Sequence, residues 1–118
     1  MQTPGKLDLV AYQGASWDYT LTWQTGGTAV NLSGYSARMQ VRESYDGGTA
    51  FVSLTNGSGI TLGGTAGSIV LELSATQTAA LDGTPSKQYV YDLELVSGSG
   101  YVTRLVEGRF MVYPEVTK

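Results

Sequence analysis

The chain has 118 residues, room for one ordinary domain whose core needs no covalent staple. It contains no cysteine and no histidine, which excludes disulfides, thiolate zinc sites and thiol nucleophiles, and removes the commonest general base. Seven basic against ten acidic side chains leave no basic face for nucleic acid, and apolar runs of only a few residues offer nothing to span a membrane.

The opening, "MQTPGKLDLV", lacks a charged n-region and an apolar h-region, so no secretory signal is expected. Lys6 to Tyr12 reads as a first strand, ended by Gly14. In Ser16 to Gln24 ("SWDYTLTWQ") the large side chains Trp17, Tyr19, Leu21 and Trp23 alternate with Asp18, Thr20 and Thr22, a period of two. "TGGT" turns the chain. A short piece, Ala29 to Leu32, leads through Ser33-Gly34 into a strand over Tyr35 to Glu43. There Tyr35, Ala37, Met39 and Val41 face one way and Arg38, Gln40 and Arg42 the other. "SYDGGT" is a loop. Ala50 to Thr55 is a strand, Asn56-Gly57 a turn, and Ile60 to Leu62 with Ser68 to Leu73 a further pair around "GGTAG".

Ser74 to Leu81 ("SATQTAAL") breaks this pattern. Ser74 and Gln77 have capping-box spacing, which predicts a short helix bridging two sheets. Tyr91 to Val96 and Val102 to Phe110 then form a hairpin about Ser97-Gly98-Ser99-Gly100. Gly108 inside its second strand marks a bulge or a close backbone approach, and Pro114 stops the strand. Frequent turns between short β-rich runs indicate a single all-β domain, an antiparallel sandwich with one short helix. The expected core comprises Leu9, Trp17, Tyr19, Leu21, Trp23, Leu32, Met39, Val41, Leu54, Ile69, Leu71, Leu73, Leu81, Tyr91, Leu93, Leu105, Phe110 and Val112.

Acid–base chemistry is left to carboxylates. Asp92 and Glu94 share one strand face, about 7 Å apart by strand rise, a spacing that a pair flanking a glycosidic bond would tolerate. On the structural reading they line a solvent-facing strand and pair across the hairpin with Arg104. Asp46-Gly47-Gly48 and Asp82-Gly83 lack the spaced carboxylates of a calcium loop and are explained by turns. "GSGITLGG" has no following lysine and no helix start, so it cradles no phosphate. No catalytic, cofactor or metal site is expected. Tyr12, Tyr45, Tyr101 and Tyr113, at strand ends or in loops, are the expected interface anchors, with Arg38 and Arg42 on one strand face beside them.

Several stretches carry a family resemblance: "GASWDYTLTW" at Gly14 to Trp23, "AVNLSGYSARMQVR" at Ala29 to Arg42 and "GITLGG" at Gly59 to Gly64. "IVLELSATQTAAL" at Ile69 to Leu81 and the closing "YVYDLEL" with "VTRLVEGRF" continue it. Together they resemble small virion proteins of tailed bacteriophages and prophages. The layout is similar to the immunoglobulin-like N-terminal domain of phage baseplate upper proteins, which anchors receptor-binding machinery to the tail.

The resemblance implies an immunoglobulin-like sandwich with no enzymatic role and no cofactor. It implies a tail or neck component, a collar, adaptor or fibre-attachment protein. Its partners would be other virion proteins, bound in many copies per particle, and it would be assembled in the bacterial cytoplasm. The chain ends at Lys118 without a coiled coil, fibre or receptor-binding module, which points to an adaptor, collar or decoration role. Two other classes stay open. A carbohydrate-binding module reading host glycans would have two or more of Tyr12, Tyr45, Tyr101 and Trp17 in a flat exposed row, and within the virion class capsid decoration is the alternative. A carboxylate hydrolase would have Asp92 and Glu94 line a concave pocket.

Overall fold

The computed structural model of the chain describes residues 5–44, 47–81 and 88–114. Eleven strands occur among them: β1 (Gly5–Lys6), β2 (Leu9–Tyr12), β3 (Trp17–Thr22), β4 (Gln24–Thr25), β5 (Thr28–Ala29) and β6 (Ser36–Ser44). They continue with β7 (Gly47–Asn56), β8 (Gly59–Leu62), β9 (Ser68–Leu73), β10 (Gln88–Val96) and β11 (Val102–Tyr113). A short helix, α1 (Ala75–Ala79), follows β9. Nine strands make one mixed sheet in the order β1-β11-β10-β6-β7-β8-β9-β3, with β2 also on β11; β4 and β5 form a separate ribbon.

The sheet curls so that its two ends face each other. Trp17 on β3 donates its indole N–H to the Val10 carbonyl on β2 at 2.9 Å. The same ring meets Phe110 of β11 edge-on at 5.2 Å. Between these layers lies the core, supplied by alternate residues: Ala37, Met39 and Val41 from β6, Ile69, Leu71 and Leu73 from β9, and Tyr89, Tyr91, Leu93 and Leu95 from β10. The chain passes between layers at the β7–β8 corner. Gly59 there has φ +95°, and a Cβ would lie 2.5 Å from Leu54 Cδ2, so only glycine fits.

The expected sandwich with one short helix is present. Its ladders are mostly antiparallel, but β1 and β2 run parallel to β11, and β7 runs parallel to β8 over two residue pairs. The helix has the anticipated capping box: Ser74 Oγ accepts from Gln77 N–H, and Gln77 Oε1 accepts from Ser74 N–H. It docks on the β2–β3 turn, where Thr78 Oγ1 accepts from Gly14 N–H and donates to the Ala15 carbonyl.

Three local expectations change. The first strand is broken at Leu7-Asp8, and the Asp8 carboxylate takes the Arg109 N–H at 3.0 Å, an acceptor in place of a ladder carbonyl. The Ser16–Gln24 strand stops at Thr22, and the piece expected over Ala29 to Leu32 contributes only Ala29 to a strand, in the β4–β5 ribbon. In the closing hairpin the bulge is at Leu105, because Leu93 faces Val106 while Glu94 faces Arg104. The extra residue reverses the alternation. Thr103 and Leu105 point inward before it, and Phe110 and Val112 after it.

Gly108 is the close approach. A Cβ on it would stand 2.2 Å from the Leu7 carbonyl oxygen, which accepts the Tyr91 hydroxyl. Of the expected core, Trp17, Tyr19, Leu21 and Trp23 are only half-buried, because β3 is the end strand of its layer. Ala11, Ala37, Val52, Ile60, Tyr89 and Leu95 join the buried core.

Candidate functional site

The outer face of β6, β10, β11 and β1 carries a band of alternating charge. Arg38 Nε donates to Glu94 at 2.7 Å. Arg104 Nε lies 3.4 Å from Asp92 and 3.9 Å from Glu94, and its other arm is 3.5 Å from Glu107. Lys6 closes the band on Glu107. The three cations and three carboxylates of this band offset one another, and Arg42 and Arg109 lie on the same sheet face beyond it.

The Leu105 bulge assembles this band. Strict alternation from Thr103 and Leu105 would turn Glu107 toward the core. The extra residue turns it outward, on the same face as Arg104 and directly opposite Asp92. Desolvation raises the Asp92 pKa, Arg104 opposes that rise, and the Glu94 and Glu107 charges add to it. The hydrogen bond from Lys6 is the main reason that the Glu107 pKa is lowered, against some desolvation.

Asp92 and Glu94 also line an open depression of about 310 Å³ with Arg38, Gln40, Ser53 and Thr55. The hydrolase reading required a concavity at this pair. The pair does line one, half-open on an outward sheet face, and the Arg104 guanidinium lies within reach of both carboxylates. Such an arrangement neutralises the pair and ties three strands together. Arg42 shares the Arg38 face as expected, and its guanidinium donates to Gln40 Oε1 at 2.7 Å. Among the described residues, no three metal-ligating side chains come together, and no helix is long and apolar enough to cross a membrane.

The expected tyrosine anchors separate into two groups. Tyr12 and Tyr113 end β2 and β11 as a register pair, and their rings stack at 5.7 Å and 26°. They are 62% and 37% exposed, so an apolar face remains open to a partner. Tyr101, 69% exposed, lies in the turn at the other end of β11. Tyr45 lies outside the described residues. Trp17 is half-buried against Phe110, and Tyr101 lies at the far end of β11 from Tyr12, so these three do not make a single row. Phe51, 43% exposed and edge-on to buried Tyr89, is an exposed aromatic that the sequence did not single out. It is the extra residue where Val41 faces Val52 and Arg42 faces Ala50, and such a bulge has no compositional mark.

No protein-family model matches the chain, and no curated protein is significantly similar to it.

Proposed function

We propose that the chain is a non-enzymatic structural component of a tailed phage particle, a tail or neck protein that binds other virion proteins in many copies. The observation that carries this reading is the placement of its exposed groups. Aromatic side chains stand at both ends of the twelve-residue β11, on a molecule 43 Å long, with a band of paired charges between them. A body with contacts at opposite ends suits a repeat in a ring or lattice. The sequence resemblance to small virion proteins supports the same class, and with it assembly in the bacterial cytoplasm. Capsid decoration is the alternative position within that class.

Glycan binding is a second reading, favoured by one feature, the open Tyr12–Tyr113 stack. Quantitative mass spectrometry of purified particles tests the main proposal. A copy number matching a tail, neck or capsid symmetry is the expected result. Recovery of all the protein from the lysate, with none in particles, would contradict it.

A further inference from the structure

We propose that β3 is a self-complementary edge, and that a second copy of this chain pairs with it in antiparallel register about Thr20. The inference goes beyond the virion reading and does not depend on it. Three observations carry it.

First, β3 is an open end of the sheet: it pairs with β9 alone. Trp23 N–H donates to Gly67 opposite, so Trp17, Tyr19 and Leu21 also direct their backbone groups toward β9. The N–H and C=O groups of Asp18, Thr20 and Thr22 therefore point away from the sheet. Among the described residues they have no hydrogen-bond partner. The edge at β2 is different: its outward Val10 carbonyl is taken by the Trp17 indole and its Tyr12 carbonyl by Ala15 N–H. One edge is blunted and the other is left as a template.

Second, the inward side chains of β3 are unfinished. Trp17, Tyr19, Leu21 and Trp23 pack on the core yet stay half-exposed, while their neighbours Ile69, Leu71 and Leu73 on β9 are buried. A strand laid along the edge would cover the remainder.

Third, the segment "WDYTLTW" is a pseudo-palindrome about Thr20. An antiparallel copy centred there sets Thr20 against itself, Asp18 against Thr22, Tyr19 against Leu21 and Trp17 against Trp23. No like charges oppose, and the Thr20–Thr20 and Trp17–Trp23 pairs are of kinds that stabilise adjacent strands. The three outward residues would all fall in hydrogen-bonded pairs, so the contact is isologous and closes as a dimer. An unrelated strand would gain nothing from this symmetry.

Because the chain has no cysteine, each introduced thiol is the only one present. The register brings the two Thr20 Cα atoms to about 5.5 Å, within disulfide range, but leaves residue 18 about 13 Å along the strand from its own copy. Thr20→Cys should therefore oxidise to a covalent dimer in the purified chain. Asp18→Cys and Thr22→Cys should do so only when mixed with each other. Thr61→Cys, exposed on the interior strand β8, is the collision control. Thr20→Lys should reduce the dimer fraction seen by sedimentation equilibrium at high concentration, and an equimolar mixture with Thr20→Glu should restore it. Thermal melts close to wild type keep these variants interpretable. Dimer formation at Thr20→Cys no greater than at Thr61→Cys would overturn the proposal. So would cross-linking of Asp18→Cys alone, which would indicate another register or another occupant.

Discussion

Trp17 on β3 and Trp23 just past its end differ in how the indole N–H is met. Trp17 Nε1 donates to Val10, whereas Trp23 Nε1 is buried and has no partner among the described residues. Replacing each by Phe should separate them. Trp17→Phe strands the Val10 carbonyl and should cost about 1–3 kcal/mol, while Trp23→Phe removes an unsatisfied donor and should cost under about 1 kcal/mol. Chemical denaturation of the two variants checks the order; equal losses would show that ring volume alone decides.

The carboxylates of the band are distinguished by pH. Glu107 has its pKa lowered in the folded state, so it stabilises the fold above the usual carboxylate range, and that contribution is lost as pH falls through its folded value. Asp92 has its pKa raised, so its ionisation works against folding as pH rises. Near neutrality Glu107→Gln should lose stability and Asp92→Asn should hold or gain it, each by about 1 kcal/mol or less at this exposed face. In acid the Glu107→Gln difference should vanish. Melting temperatures across the acid range give the test, and a Glu107→Gln loss unchanged in acid would contradict it.

At the scale of the element, Gly108 determines how the N-terminal segment meets the closing hairpin. Its φ is not in the left-handed region, so the argument is one of space. Gly108→Ala would drive a methyl group into the Leu7 carbonyl and should cost about 1–3 kcal/mol. Gly5→Ala meets only Val106 Cγ1 at 3.5 Å and Leu105 O at 3.6 Å, and serves as a near-neutral control.

Elements whose pattern is local were legible in the sequence. The strand over Ser68 to Leu73 and the Ser74–Gln77 cap stand where the alternation and the spacing put them. The Asp92–Arg104 pair was legible too, since both sit in the ladder beside the turn. Glu107 and Lys6 were not, because one depends on the Leu105 bulge and the other on a parallel pairing about a hundred residues away. Neither feature leaves a mark in the residues that make it. The break at Asp8 escaped for a related reason, a side chain standing in for a backbone acceptor.

At the scale of the whole molecule, the exposed chemistry is distributed over ends, edge and outer face and does not converge on one cavity. The Tyr12–Tyr113 stack, the Tyr101 turn and the β3 edge lie at separate places on the surface, so each would touch a different neighbour. A domain of this size can offer about 800 Å² to one partner in a standard interface. In a repeated assembly several modest contacts would combine through effective concentration. On the virion reading, Tyr101→Ala should leave the fold intact and lower the copies incorporated per particle by several-fold. Particle mass spectrometry on the variant reads this directly, and an unchanged copy number would remove Tyr101 from the contact set.

The most direct test of the virion reading is a density map of intact particles at a resolution that places the domain. The expected map has the sandwich at symmetry-related positions in the tail, neck or capsid, with the Tyr12–Tyr113 end or the Tyr101 turn buried against another virion protein. A map fully accounted for without this domain, or one in which both ends face solvent, would contradict it.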